Sequence, residues 1–332
     1  MLPRLLYVHK VVEVLALARD AEDSALSLRA YTLEGRSSLG LIAPHDVPIT
    51  LQMEDSSRTM NDPSHDSGTS IEVRPPETAA LDQIGELVRA SSRLVVFTGA
   101  GISTESGIPD YRGPNGVWAT QDIPHIDRIR TDREARVQFW RERRSRYPEM
   151  LAKQPNAGHD AIARLERSGK LLAVITQNID GLHQKAGNSS DRVIELHGST
   201  HRIRCTVCGR VYAGVEIQAR LEAGEVDPRC PVCGGVLRGG TFLFGEALPE
   251  DALKTAVALA RASDLMLVVG SSLVVNPAAR LPMIAKQAGA RLAILNLSRT
   301  PLDDEADVRL SAEAGPALST IVDYALDKNS DD

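Results

Sequence analysis

The chain has no cysteine outside two tight pairs, Cys205–Cys208 and Cys230–Cys233. Scattered disulfides are thereby excluded, and thiols spaced two residues apart point to a metal site instead. No apolar run approaches the roughly 20 residues that a membrane span requires. The opening stretch, MLPRLLYVHKVVEVLALARD, is broken by His9, Lys10 and Glu13, and no clean small-residue cleavage site follows it. These absences place the chain in the cytoplasm. A basic excess is missing too: the formal net charge is -6, which removes a nucleic acid from the expected partners.

A further absence concerns glycine. In FTGAGISTESGIPDYRG, Phe97 to Gly113, an apolar run enters Gly99-Ala100-Gly101 as a strand enters a phosphate-binding turn. The usual dinucleotide fingerprint asks for a third glycine where this chain has Thr104, and for a long helix after it. Gly107 and Pro109 stop any helix after about one turn. The turn therefore leads into a loop carrying Asp110, Tyr111 and Arg112.

What is present is a regular alternation. Apolar runs at 93–98, 171–176, 193–196, 264–269 and 291–297 read as strands. Patterns at 78–91, 156–168, 277–288 and 316–327 read as helices. Continuous apolar strands alternating with helices give an α/β fold with a Rossmann-like parallel sheet covered on both faces. Its ligand position is the crevice beyond the strands' carboxyl ends, and the polar loops 99–113, 177–183, 197–199, 270–276 and 296–300 each follow a strand directly. Two interruptions, the charged helical stretch 120–150 and the cysteine segment 200–240, form a smaller inserted lobe. The sheet domain then comprises about 78–119, 151–199 and 241–330. Residues 1–77 form an extension whose part 54–77, rich in Ser, Asp and Pro, reads as a flexible linker. Met53 and Met60 are alternative initiators, and the sequence leaves open whether the first residues are an appendage or an over-extended start.

The cysteines carry the most specific signal. C-x2-C, 21 residues, C-x2-C lies one residue beyond the usual zinc-ribbon spacing, and four thiolates make a closed, structural tetrahedral site. Two redox dithiols are the competing reading. TQNIDGLH, 176–183, sets Gln177, Asn178 and Asp180 at a strand end, where they bind a ribose or carboxamide or form a solvated Asx turn. His197, beside Gly198, has a side chain whose usual pKa near 6.5 suits a general base; His159, His183 and His201 compete for that part. Ser271 and Ser272 bind a phosphate or ribose, or cap the following helix. Phe242 to Glu246 and Leu273-Val274-Val275 are extended enough to accept a peptide as an added strand.

Taken in order, GAGIS, GIPDYRG, TQNIDGLH, the ELHG histidine, the two CxxC pairs, FGEALP, GSSLVVNPAA and NLS closely resemble a sirtuin of bacterial type. The resemblance covers about 78–327. It implies an NAD-dependent protein lysine deacylase that consumes NAD and holds one structural zinc on Cys205, Cys208, Cys230 and Cys233. Acyl-lysine protein substrates are the implied partners of a monomeric enzyme. Gly99, Ala100, Gly101, Ile102, Ser103, Pro109, Asp110, Tyr111, Arg112 and Trp118 would contact NAD from the first loop, and Gln177, Asn178, Ile179 and Asp180 from the second. Gly270, Ser271, Ser272, Asn296, Leu297, Ser298 and Ala314 would hold the adenosine half. His197, with Asn178 and Asp180, would be catalytic, and Phe244, Gly245, Glu246, Val274 and Val275 would sandwich the peptide.

The missing long helix fits this implication, since cleavage of the cofactor needs a closing lid where hydride transfer needs a stiff helix. Two departures stand out. Gly239 occupies a position where the family often has proline, which implies a looser approach to FGE. Trp140 and Arg143 occupy the Tyr-x-x-Arg positions that select acidic acyl groups, and the loss of the phenol implies a preference for a neutral acyl group. The rival functions are protein mono-ADP-ribosylation at the same NAD site and a non-catalytic zinc-containing binding module.

Overall fold

A computed structural model of the 332-residue chain describes residues 76–110, 126–242 and 246–327, together with the backbone of 27–33 and 36–42. The chain divides into two units, Met1–Ser70 and Ile71–Asp332. In the first, strands β1 (Ser27–Leu33) and β2 (Arg36–Ile42) pair antiparallel from Ser27↔Ile42 to Leu33↔Arg36. No motif in the sequence announces this hairpin. The linker expected at 54–77 lies outside the described residues except for its last two, which open a helix.

In the second unit a helix α1 (Pro76–Ala90) precedes strand β3 (Leu94–Thr98). Helices α2 (Ile126–Thr131), α3 (Arg133–Ala152) and α4 (Ala157–Arg167) lead to β4 (Leu171–Thr176). The short α5 (Leu182–Lys185) and β5 (Val193–Glu195) follow, then β6 (Gly198–Cys205), β7 (Val211–Ala213), α6 (Gly214–Glu222) and β8 (Leu237–Thr241). The chain closes with α7 (Glu250–Ala262), β9 (Leu265–Val269), α8 (Leu281–Gln287), β10 (Arg291–Leu295), β11 (Val308–Leu310) and α9 (Ala314–Leu326).

Six strands form one parallel sheet in the order β11-β10-β9-β3-β4-β5. Alternate side chains of each strand serve opposite faces, as the period of two demands. Leu94 and Val96 pack with α1, α4 and α9, whereas Val95 and Phe97 pack with α7 and α8. Each such fully buried side chain contributes about 1.5–3 kcal/mol relative to exposure. Between β3 and β4 on one side and β9 on the other, the strand order reverses, so the crevice opens beyond the end of β3.

The expected helix 277–288 is in fact a 3₁₀ turn, Ala278–Arg280, followed by α8. The strand predicted to Leu297 ends at Leu295, which releases Asn296 onto the rim. The closing helix begins at Ala314, two residues early, because Pro316 fits a first helical turn.

A second sheet, β7-β6-β8, carries the cysteines. Trp140 of α3 packs there among Ile203, Ile217, Leu221 and Leu237. Asp132 caps α3 by accepting from the Glu134 and Ala135 amides. Pro148 within α3 cannot bond the Arg144 carbonyl, and Gln218 Nε2 of α6 donates to that oxygen at 3.0 Å instead. Arg136 of α3 grips Asp227 through two bonds of 3.2 Å, both side chains nearly buried. Helix α3 and the cysteine segment thus pack against one another.

Candidate active site and metal centre

The crevice is built on glycine. The Gly101 amide donates to the Gly270 carbonyl at 2.8 Å, and the Gly99 amide donates to Val269 O at 3.1 Å. A Cβ on Gly99 would stand 2.8 Å from Gly270 O, and one on Gly101 2.7 Å from Gly270 Cα. Gly270 itself has φ 61°, the left-handed region. Only glycines let the loops after β3 and β9 meet backbone to backbone.

The loop after β4 sits on that junction. Asn178 and Asp180 are 7% and 6% exposed, which removes the reading of TQNIDGLH as a solvated turn. Asn178 Nδ2 donates to Gly99 O and to Ser103 Oγ, each at 3.1 Å, and Ser103 Oγ donates to Asp180 Oδ2 at 2.8 Å. Asp180 Oδ1 accepts from the Leu182 amide at 2.9 Å. Gln177 Nε2 donates to Ser271 Oγ at 2.7 Å, joining the loops after β4 and β9. Ser271 is buried and accepts from the Leu273 amide at 3.3 Å, so it orders its own loop and caps no helix.

His197 stands just past β5. Its Nδ1–H donates to the Gln177 carbonyl at 2.8 Å, which fixes the tautomer with Nε2 unprotonated. Burial holds its pKa below the ordinary 6.5, opposed by that hydrogen bond, so the ring is neutral at pH 7. A half-buried neutral imidazole with one nitrogen anchored is suited to accepting a proton.

The competing histidines are placed otherwise. His201 Nε2–H donates to Asp180 O at 2.7 Å while its Nδ1 faces Tyr147 Oη at 3.3 Å. His183 and His159 are buried beneath the crevice with ring centroids 5.0 Å apart. His183 Nε2 meets Thr98 Oγ1 at 2.9 Å, and Thr98 Oγ1 meets Thr176 Oγ1 at 2.8 Å. Burial depresses both pKa values, to about 4 for His159 and well down for His183.

In the small lobe the four cysteine sulfurs all lie within 4.8 Å of one another, with Cys205 and Cys233 Sγ 3.5 Å apart and Cys208 and Cys230 Sγ 3.7 Å apart. Tetrahedral thiolates about 2.3 Å from zinc stand about 3.8 Å apart, so the donor set fits that ion. All four positions are filled by protein, which makes the centre structural.

The relatives of the chain agree with the geometry. The family model described as Sir2 family matches residues 99–277, more than half the chain. An NAD-dependent protein deacetylase of Thermodesulfovibrio yellowstonii is 46% identical over 238 residues, 72% of this chain and 92% of the relative. The chain belongs to the Sir2 family. A solved Sir2 complex with p53 peptide and NAD+ is 39% identical, with TM-score 0.65 over 73% of this chain and 96% of that one. Another, with deacetylated p53 peptide and 3′-O-acetyl ADP-ribose, is 39% identical with TM-score 0.66, over 73% and 97%. This Sir2 protein is an NAD-dependent protein deacylase with NAD as co-substrate.

Among the residues named from sequence, the structure brings Gly99, Gly101, Ser103, Gln177, Asn178, Asp180, His197, Gly270 and Ser271 into one hydrogen-bonded constellation. Ala100 and Ile102 form a 3₁₀ turn in the same loop, and Pro109 and Asp110 follow it. Ile179 O accepts from the Thr200 amide at 2.9 Å. Asn296 Nδ2 donates to Ser298 O at 2.8 Å beside the exposed Leu297, and Ala314 opens α9. Ser272 is half-buried after Ser271. Tyr111, Arg112, Trp118, Phe244 and Gly245 lie outside the described residues.

The acyl-pocket expectation needs correction. Trp140 is completely buried in the small-lobe core, so its ring packs the cysteine lobe and presents no surface to an acyl chain. Arg143 donates to the Thr200 carbonyl at 2.9 Å and lies 4.1 Å over the Tyr147 ring.

The sequence reading missed Asn156. Its Oδ1 accepts from the Gly158 and His159 amides to cap α4, and its Nδ2 donates to Ile102 O at 2.7 Å and Ser106 Oγ at 3.0 Å. The cap was legible before an apolar helix; its reach to the glycine loop was not.

Proposed function

We propose that His197 is the general base, that Asn178 and Asp180 orient the nicotinamide end of NAD, and that the substrate is an acyl-lysine side chain on a protein. The observation that carries this reading is the anchoring of His197 Nδ1 on Gln177 O, which leaves Nε2 as the proton acceptor next to the Ser103–Asn178–Asp180 cluster. Bound NAD supplies the sugar carbon that takes the acyl oxygen. The glycine junction of Gly99, Gly101 and Gly270 offers a backbone surface for its phosphates, while Ser271, Ser272, Asn296 to Ser298 and Ala314 line the adenosine side. Asn178 contributes an amide and Asp180 a carboxylate, both held rigid by Ser103, so neither reorganises when the site closes. His197 Nε2 takes a proton from a ribose hydroxyl, and its burial keeps it ready to do so at neutral pH. The acyl oxygen's bond to the sugar carbon displaces nicotinamide, the ribose oxygen bonds the acyl carbon, and one water is consumed as the lysine amine leaves, so the products are free lysine, nicotinamide and an O-acyl-ADP-ribose.

The peptide lies as an added strand between the FGE segment, Phe244 to Glu246, and Val274-Val275. Leu273, just before them, is a non-glycine residue at φ 53°, and Val274 is exposed. A left-handed leucine costs about 1–3 kcal/mol and is kept where a loop must present its neighbours in a fixed direction.

Four cysteines close the zinc site structurally, and the enzyme works as a cytoplasmic monomer. With Trp140 committed to the core and Arg143 to Thr200 O, no Tyr–Arg clamp is available for an acidic acyl chain, which supports a neutral acyl group such as acetyl. Turnover on acetyl- and succinyl-lysine peptides tests this: acetyl is favoured more than tenfold, and a succinyl preference of that size contradicts it. Mass spectrometry of the protein after the reaction separates protein ADP-ribosylation, which would add ADP-ribose covalently, from release of O-acyl-ADP-ribose.

A further inference from the structure

Two buried hydroxyls lie at the foot of the crevice. Thr98 and Thr176 end β3 and β4 and face each other in the strand register. Thr98 Oγ1–H donates to Thr176 Oγ1 at 2.8 Å, and the Asn178 amide donates to the same Thr176 oxygen at 3.0 Å. A threonine has one hydroxyl proton. With that of Thr98 given to Thr176, the Thr98 oxygen accepts from His183 Nε2–H at 2.9 Å. A continuous buried chain thus runs from His183 through both threonines to the backbone of Asn178.

The arrangement is a fold-back. Asn178 and His183 belong to one loop, which leaves β4, turns at Gly181 (φ 71°, the left-handed region) and continues into α5. His183 then reaches back to the strand ends from which its own loop started. Its ring also meets that of His159, tilted by 56°, and His159 Nδ1 is tied to Asn156 Oδ1 at 3.0 Å. His183 is 1% exposed, and among the described residues its Nδ1 has no hydrogen-bond partner. An apolar ring would fill the same space without burying that nitrogen at a cost. What the imidazole adds is Nε2–H, and Nε2–H serves the hydroxyl chain. Asn178 is therefore held twice: by its backbone through Thr176, and by its side chain through Gly99 O and Ser103 Oγ.

We infer that His183 is a positioning residue for the reaction: through the hydroxyls of Thr98 and Thr176 it fixes the backbone of Asn178, and with it the side chain that orients the nicotinamide end of NAD. This rests on the reading of Asn178 as a nicotinamide-orienting residue. A support of this kind aligns the reacting end of the cofactor, where a small misplacement is costly. It leaves the adenosine half untouched, because no member of the chain belongs to the loops after β9 or β10.

The test uses the full-length, zinc-loaded protein and three readouts: kcat/KM for NAD at saturating acetyl-lysine peptide, the inhibition constant of nicotinamide, and ADP-ribose affinity by calorimetry. His183→Phe keeps a ring and loses the donor. Thr176→Val keeps the shape and loses the hydroxyl, Thr176→Ser keeps the hydroxyl, and Asn178→Ala probes the underlying reading independently. The expected result for His183→Phe and Thr176→Val is a fall in kcat/KM of about tenfold or more, with nicotinamide inhibition weakened similarly. ADP-ribose affinity stays within about twofold of wild type in both, and Thr176→Ser stays within about threefold in every readout. Wild-type kinetics in His183→Phe and Thr176→Val, with Asn178→Ala impaired, overturn the inference and spare the reading of Asn178. An Asn178→Ala enzyme with wild-type kinetics overturns both. Thr176→Ser as impaired as Thr176→Val, or a parallel loss of ADP-ribose affinity, makes the chain general support for the fold and also overturns the inference.

Discussion

Ser103 and Asp180, 77 residues apart in sequence, share a buried hydrogen bond of 2.8 Å, and the same Ser103 hydroxyl accepts from Asn178. One hydroxyl thus fixes both polar groups assigned to the nicotinamide end. Ser103→Ala removes the hydroxyl donor to Asp180 Oδ2 and leaves Asn178 Nδ2 only its bond to Gly99 O. The expected outcome is a fall in kcat/KM for NAD of roughly 10- to 100-fold, with a Tm close to wild type. Steady-state kinetics with NAD varied, beside a thermal melt, checks it; an unchanged kcat/KM contradicts the assignment.

The pH dependence of catalysis follows from the His197 environment. Burial lowers its pKa below 6.5, so the base is already neutral through the physiological range and loses activity only when protonated. The acid limb of kcat/KM is therefore expected below pH 6.5, with a plateau above it. A limb centred above pH 7 would mean that another group controls the step.

Stability has its own acid limb. His159 and His183 are neutral in the fold, burial holding the pKa of the first at about 4 and pushing that of the second well down, while the unfolded chain protonates them near 6.5. Their contribution is complete above pH 6.5 and is lost progressively as pH falls from there towards 4. Each adds a slope of up to about 1.4 kcal/mol per pH unit in that window. Urea midpoints at pH 7.5 and pH 5.5 measure this, and the double variant His159→Gln/His183→Gln flattens the difference.

These two histidines also show where sequence reading stops. The strands, the sheet order's crevice and the CxxC pairs are legible because each is a local pattern of period, glycine or spacing. His197 is legible because it ends a strand beside a glycine. His159 and His183 look the same on paper, yet the fold buries them, since α4 and α5 close over the strand ends in three dimensions. Trp140 was misplaced for a related reason: matching its position to a motif says nothing of which side of α3 faces the cysteine lobe. The Ser103 contact was invisible because it joins loops after two different strands.

Trp140 supplies a probe of the metal. It shares a core with Cys205 and Cys230, and the only other tryptophan is Trp118. In a Trp118→Phe background, chelation of the metal is expected to red-shift Trp140 emission and abolish activity together, as the small lobe opens. Activity that survives full zinc removal, measured by elemental analysis, contradicts a structural zinc. Trp140→Ala is expected to cost about 3–5 kcal/mol by cavity formation alone.

The account turns on His197 as the base that transfers the acyl group out of lysine. Mass spectrometry of an acetyl-lysine peptide incubated with and without NAD, using wild type and His197→Ala, tests it most directly. Wild type is expected to yield deacetylated peptide and O-acetyl-ADP-ribose only with NAD, and the variant to lose roughly 10²–10⁴-fold of that rate. A His197→Ala enzyme that deacetylates at the wild-type rate, or a wild type that consumes NAD and leaves the peptide acetylated, would contradict it.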